Sequence, residues 1–401
     1  MILEKARRSA GFFCASLSAV SMIDEKELYL FFRFFEILTP LKKTQTMKTL
    51  FSSILAFAMG VTASVAQIPG MMSMPSAQSL EGTTLGANET VAYDGIALGN
   101  RVKLRGYVDF IYGYGDLDGV GDDSRFSTAG DVDFLVDFSP VTGEVHLAYA
   151  SGASQPITLE QAFGRYNFNQ DFNISFGRQL SNLGYEADEA PGLYATSYGY
   201  FADVVSNHSA FDTLLAGLPT LRRNYIDGVR ANFNNGQFGL SLGIHDGYWL
   251  NDDFNDNVAI DIAASVMIVP GLEARLGYAH QDMDTSDIGQ FNTWLAYNPG
   301  DLTLAFEFDY FDFDGDSDLW DIMLLGNYQF TDFFGLTLRY SHEDAENLVG
   351  NDYASDRITL AFLFSITQQF GINFEYSHTE IEIGNDDSDA DEIYLEGLYT
   401  F

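Results

Sequence analysis

The chain has 401 residues, a formal net charge of -37 and 15% aromatic residues, among them 34 Phe and 22 Tyr. So acidic a surface excludes nucleic acid as a partner, because a phosphate backbone is bound through Lys and Arg, and the aromatic content excludes an acidic disordered chain. After the first quarter no run approaches the roughly 20 apolar residues of a membrane helix, so a membrane-spanning chain of this composition would have to be a closed β-barrel.

Residues 1–46 fit no targeting pattern. Their apolar patch Leu28 to Leu38 is broken by Arg33 and Glu36. From Met47 the chain reads as a secretory signal peptide: Lys48, an apolar run from Leu50 to Val61, and the small-residue end Ser64-Val65-Ala66. The reading is therefore a translation start at Met47, cleavage after Ala66, and an upstream extension assigned in error. An unusually long signal sequence is the alternative. Removal of residues 1–66 takes away the only cysteine, Cys14, and leaves Lys103 as the only lysine. The exported chain then has no disulfide or thiol chemistry. Residues 67–100, rich in Met, Ser, Gly and Thr and without a period, read as a periplasmic N-terminal extension.

From Arg101 to Phe401 the pattern changes to alternation of period two, the mark of strands with two unlike faces. Val102, Leu104, Gly106, Val108, Phe110 and Tyr112 oppose Lys103, Arg105, Tyr107 and Asp109. The pattern recurs in Val132 to Phe138, Leu302 to Tyr310, Ile358 to Ile366 and Ile393 to Phe401. Alternation alone fits a soluble sandwich as well as a membrane barrel. Three further features favour the barrel. Short turns (Ser139 to Gly143, Asn234 to Gly236, Val269 to Gly271, Asn298 to Gly300, Thr331-Asp332) take every second junction, and acidic loops (Asp116 to Gly130, Asp246 to Asp256, Glu343 to Ser355, Glu382 to Asp391) take the others. Segments of about 10 to 13 residues are long enough to cross the hydrocarbon when tilted, and about sixteen of them, an even number, leave both termini on the periplasmic side. Aromatics gather at strand ends: Tyr112, Tyr114, Phe168, Phe172, Tyr297, Phe330, Phe333, Tyr399 and Phe401. The predicted fold is all-β: a transmembrane antiparallel β-barrel of about sixteen strands over residues 101–401, with short periplasmic turns and long acidic extracellular loops.

The final strand ending Tyr399-Thr400-Phe401 resembles the terminal signature of bacterial outer-membrane proteins. The segments Phe176-Gly177-Arg178-Gln179-Leu180, Leu183-Gly184-Tyr185-Glu186, Ser197-Tyr198-Gly199-Tyr200 and the opening Leu104-Arg105-Gly106-Tyr107-Val108-Asp109 resemble the OmpL-like β-barrel porin family. The resemblance implies a channel without naming a solute. It also implies that Tyr399 and Phe401 are an assembly signal read by the barrel-assembly machinery, that outer-membrane lipid and lipopolysaccharide surround the barrel, and that homotrimers form. Gly106 and Gly397, small and lipid-facing, would permit close approach of subunits.

The longest loop, Ser181 to Arg223, follows the fifth strand. In sixteen-stranded porins, by resemblance, the corresponding loop folds into the lumen. Here it carries Tyr185, Tyr194, Tyr198, Tyr200, Phe201 and Phe211, too aromatic for a solvated linker. Its acids Glu186, Asp188, Glu189 and Asp203 are the expected constriction. The inward arginines Arg105, Arg165, Arg230, Arg275, Arg339 and Arg357 face them, setting a transverse field or, in the plainer reading, salt bridges that stiffen the wall. Inward acids (Asp109, Asp133, Asp137, Asp261, Glu307 and Asp309, with Glu273, Asp321 and Glu375) outnumber the inward arginines. That predicts a cation-preferring pore for small hydrophilic solutes. The alternative is a non-conducting structural or adhesive barrel with acidic ion-binding loops.

No cofactor, metal site or catalytic set is read from the sequence. The acidic run Asp312 to Asp318 lacks the Gly and Glu that a calcium-binding EF-hand loop needs at its sixth and twelfth positions, which hold Ser317 and Met323. Asn385 to Asp389 reads as a solvated loop in the same way. His208-Ser209 is the pair an enzymatic barrel would use, and an ordinary loop histidine is the plainer account. Trp249, Trp294 and Trp320 do not form a sugar-stacking track.

Overall fold

The computed structural model describes residues 96–98, 101–151, 153, 155–204, 221–249, 258–282, 287–313, 315, 317–348 and 351–401. The proposed signal peptide, the N-terminal extension up to residue 95, and His208, Ser209 and Phe211 lie outside the described residues.

The described chain is one antiparallel sheet closed on itself. After a two-residue piece, β1 (Ile96–Ala97), sixteen strands follow: β2 (Val102–Leu117), β3 (Gly121–Phe138), β4 (Val141–Ala150), β5 (Ile157–Asn167), β6 (Phe172–Leu180), β7 (Tyr225–Asn234), β8 (Phe238–Asp246), β9 (Val258–Val269), β10 (Leu272–Gln281), β11 (Ile288–Tyr297), β12 (Leu302–Phe313), β13 (Ser317–Thr331), β14 (Phe334–Leu348), β15 (Asn351–Ser365), β16 (Phe370–Ile383) and β17 (Asp386–Thr400). Each pairs with its sequence neighbours, and β17 pairs with β2 to close the barrel, Gly397 opposite Phe110 and Thr400 opposite Tyr107. Closure leaves no open strand edge among these sixteen, which is what a β protein in lipid requires.

The alternation sorts the two faces as expected. In β8, Phe238, Leu240, Leu242 and Ile244 are each about half exposed on the outer face, while Ser241 and His245 are fully buried inside. An outer surface of this kind belongs in hydrocarbon, not water. Aromatic rings cluster at the short-turn end: Phe168 lies against Tyr166 and Phe172, Phe330 against Tyr328 and Phe334, and Phe333 and Phe334 against Phe364.

Three of the stretches expected as acidic loops are paired strand. Residues 116–130 are the end of β2, a three-residue turn and the start of β3, with Asp116 opposite Asp122. Asn351 already lies in β15, opposite Leu348 of β14, and Asp386 already lies in β17, opposite Ile383 of β16. These hairpins run beyond the apolar belt, where outward positions such as Asp116, Asp344 and Asp389 are polar while Leu117, Ala345, Tyr353 and Ala390 face inward, so the pattern of an apolar outer face is lost. Asp312 to Asp318 is likewise a hairpin tip, with Asp312 paired to Asp318. The connection after Asp246 includes residues outside those described.

Gly106 does not offer a surface to a second subunit. A Cβ there would lie 2.1 Å from the Asp131 carbonyl oxygen and 2.9 Å from Phe401 Cζ. The last residue of the chain covers it, and the backbones of Gly106 and Phe401 exchange two hydrogen bonds of 3.0 and 2.9 Å.

Candidate functional site

Between β6 and β7 the chain leaves the wall and enters the barrel. Its base is fixed where Ser181 N donates to the Asn224 carbonyl (2.7 Å). Leu183, Tyr185, Tyr200 and Phe201 are buried. Tyr185 stacks edge-on against Trp294 of β11 and lies parallel to Tyr194. The aromatic residues that set this segment apart in the sequence are what pack it inside.

The polar contacts come from strands all round the lumen. Glu307 of β12 accepts from Tyr185 N (2.6 Å). Glu375 of β16 accepts from Thr196 N (2.6 Å) and Ser197 N (3.0 Å), and Glu396 of β17 accepts from Thr196 Oγ1 (3.0 Å). Arg339 of β14 is ion-paired with Glu186 and donates to the Ser197 and Tyr198 carbonyls at 2.8 and 2.9 Å. Arg357 of β15 reaches Ser197 Oγ at 3.0 Å and is ion-paired with Glu392 of β17. Glu343 of β14 accepts from Ala202 N (3.2 Å). Wall carboxylates thus take the backbone N–H groups of the loop, and wall arginines take its carbonyls. This supplies partners that an irregular segment otherwise finds in water.

The inward arginines are engaged. Arg105 Nε lies 2.9 Å from Asp133, Arg165 Nη1 3.7 Å from Glu144, and Arg230 Nε 3.8 Å from Asp261, which also meets His245. Arg275 donates to the Asn182 carbonyl of the loop. Asp109 is buried on the inner face of β2. Asp309 accepts from Gln290 (2.7 Å) and Asn292 (2.9 Å). Asp137 has inward parity but sits exposed at the β3–β4 turn, where its carboxylate accepts from Ser139 N (2.8 Å) and Ser139 Oγ (2.7 Å). It caps a turn and lies away from the loop.

The loop acids differ in surroundings. Glu186 accepts from Gly199 N at 2.6 Å besides pairing with Arg339. Asp188 accepts from the Tyr225 hydroxyl. Burial pushes its carboxyl up to about 6, against the pull of Tyr225 and Arg223. Asp203 meets Arg223 Nη2 at 2.6 Å and Arg222 Nη1 at 3.3 Å. Burial would raise Asp203, but the two guanidiniums outweigh it and hold the carboxyl below its ordinary range. Glu189 approaches His146 of β4.

Sequence reading overlooked Arg222 and Arg223. The Arg222 guanidinium lies 3.9 Å over the Tyr200 ring and is ion-paired with Asp321 of β13, while Arg223 lies 4.0 Å over Tyr198. The adjacent arginine pair just before β7 was the available signal. Strand parity would also have found Asp131, Glu343, Glu392 and Glu396.

No family model and no curated protein matches the sequence. Solved structures do match. The outer-membrane channel DcaP of Acinetobacter baumannii aligns over 78% of this chain and 100% of its own at 14% identity and a TM-score of 0.55. The anion-selective porin from Comamonas acidovorans aligns over 75% of this chain and 99% of its own at 14% identity and 0.54. OmpT of Vibrio cholerae aligns over 76% and 100% at 14% identity and 0.52, and a trimer form of that protein also matches. At such identity the likeness is one of fold: this chain is a closed sixteen-stranded antiparallel barrel of the kind built by outer-membrane porins.

Proposed function

We propose that the chain is an outer-membrane channel through which small hydrophilic solutes and ions diffuse, narrowed by the described parts of the inward loop, residues 181–204 and 221–224, and preferring cations. The observation that carries this reading is the inward loop itself. It crosses a sixteen-stranded barrel and is held by β12, β14, β15, β16 and β17 through Glu307, Arg339, Arg357, Glu375 and Glu396. The cation preference rests on the pairing pattern. The inward arginines are matched by carboxylates or carbonyls, and the inward carboxylates along the wall outnumber them. Excess carboxylates in a wet constriction favour cations. Porin and channel neighbours support the general reading, and the anion-selective one carries no weight against a lumen this acidic. Assembly as a trimer, with Tyr399 and Phe401 as the assembly signal, belongs to the same proposal. Swelling of liposomes containing the refolded barrel tests it: entry of small sugars supports the channel, and exclusion of every solute from a folded barrel removes it.

A second reading is favoured by one feature. At the next inward position beyond Asp309, Asp321, Glu343 and Ser355 stand Phe311, Leu319, Ala345 and Tyr353, which cluster with Leu183, Phe201 and Leu221 of the loop. An apolar layer above the charged one fits a plugged, non-conducting barrel. The same swelling experiment separates the two.

A further inference from the structure

Four ligand-bearing side chains meet where the loop touches β3 and β4. Asp131 and Asp133 are successive inward residues of β3, and His146 pairs opposite Asp133 from β4. Glu189 comes from the loop. His146 Nδ1 lies 3.1 Å from Asp133 Oδ1, 3.7 Å from Glu189 Oε1 and 4.0 Å from Asp131 Oδ2. One donor atom from each of the four lies within 4.8 Å of all the others.

Two observations separate this group from an ordinary cluster of acids. The first is an unsatisfied oxygen. Asp131 is 2% exposed, and its Oδ1 accepts from Val132 N, yet its Oδ2, aimed at the cluster, receives no hydrogen bond. A buried carboxylate oxygen left in that state costs the full desolvation of the group. The second is the aim of His146. Its Nε2 lies 3.2 Å from Glu144 Oε2, which turns Nδ1 toward the carboxylates. A carboxylate behind one ring nitrogen is how a metal-bound histidine is held in its tautomer.

Gln161 Nε2 points at Nδ1 from 3.2 Å, its amide fixed because its Oε1 accepts from Leu180 N. A proton on Nδ1 would face that N–H donor. A lone pair on Nδ1 accepts from Gln161 but faces Asp133 Oδ1. A cation placed among the four donors meets the Nδ1 lone pair and the carboxylate oxygens together, in place of the Gln161 N–H.

We propose that Asp131, Asp133, His146 and Glu189 form a divalent-metal site of the zinc type that clamps the inward loop to the barrel wall. Three carboxylates and one imidazole suit a first-row ion such as Zn2+, whereas Ca2+ and Mg2+ take all-oxygen shells. Tetrahedral bonds of about 2.0–2.1 Å place ligand atoms roughly 3.3 Å apart, so the widest-spaced donors must close by up to about 1.5 Å, within reach of side-chain rotation. Three anionic ligands exceed the charge of one divalent ion, and Arg105, bonded to the other oxygen of Asp133, offsets the surplus. The site goes beyond the channel reading and holds whether or not the barrel conducts.

The test is titration of the chelator-stripped, refolded barrel in detergent with Co2+ and then Zn2+. We expect one Co2+ per chain with the intense visible absorption of a tetrahedral site, displaced by Zn2+. Asp131→Asn and His146→Asn, each checked for folding by heat-shifted gel migration, should weaken binding at least tenfold. Asp386→Asn, on an exposed hairpin, should leave it unchanged. Absence of saturable binding, a weak octahedral Co2+ spectrum, or equal affinity in Asp131→Asn would overturn the proposal. The wild-type spectrum decides the matter alone if neither site variant folds.

Discussion

Arg339 of β14 and Glu186 of the inward loop, 153 residues apart in sequence, form an ion pair in which neither side chain is more than 2% exposed. The same guanidinium also takes the Ser197 and Tyr198 carbonyls. One wall residue therefore ties together two separate points of the described loop, Glu186 and Ser197-Tyr198.

Loss of one partner leaves the other charge buried without its counterion, which costs about 3–5 kcal/mol in a dry site. Arg339→Met is expected to lower the unfolding midpoint in guanidinium and, by freeing the loop, to raise single-channel conductance. Unchanged conductance and stability would mean that the pair does not hold the loop in place.

Gly199 is tight for a different reason. A Cβ there would stand 2.8 Å from Met323 Sδ and 2.9 Å from Glu186 Oε2. Gly199→Ala must move a side chain already held by Arg339, at a cost of about 1–3 kcal/mol. Thermal unfolding of the refolded variant measures it, and an unaltered transition would show that the loop gives way freely.

Asp188 supplies a pH dependence. Its carboxyl is raised from 3.8 to about 6, first by burial. The folded chain then binds this proton more tightly than the unfolded chain, so its contribution to stability is present at low pH and is lost as pH rises from about 4 to about 6. Asp188→Asn has no proton to lose, so its stability should fall less than that of the wild type across that window. Equal slopes in denaturant titrations at pH 4 and pH 7 would contradict the assignment.

Phe401 covers Gly106 and joins β17 to β2 through two backbone hydrogen bonds. Deletion of Phe401 removes both bonds and the ring. Refolding into lipid vesicles, followed by heat-shifted migration, should slow markedly. A normal rate would limit Phe401 to a role outside barrel closure.

The barrel was legible because lipid on one side and a polar lumen on the other impose a two-residue period wherever the strand crosses the apolar belt. Beyond that belt the constraint vanishes, which is why residues 116–130 read as loop although they pair as β2 and β3. The inward course of the long loop could be read from Tyr185, Tyr198 and Tyr200, since buried rings need a core. Its partners could not. Glu307, Arg339, Glu375 and Glu396 lie more than 100 residues away from the loop atoms they bind, and only barrel closure brings them round it. Inward parity identified the arginines but not their neutralisation, because register decides that Arg105 meets Asp133. The cluster of Asp131, Asp133, His146 and Glu189 draws on two strands and the loop, and no spacing in the chain announces it.

The most direct measurement is the reversal potential of the refolded barrel in a planar bilayer under a potassium chloride gradient, for the wild type and for the triple variant Glu186→Gln, Asp188→Asn, Glu189→Gln. The account predicts stable conductance steps with cation-selective reversal in the wild type and reduced selectivity in the triple variant. A folded barrel that passes no current, or whose selectivity is unchanged by the three substitutions, would contradict it.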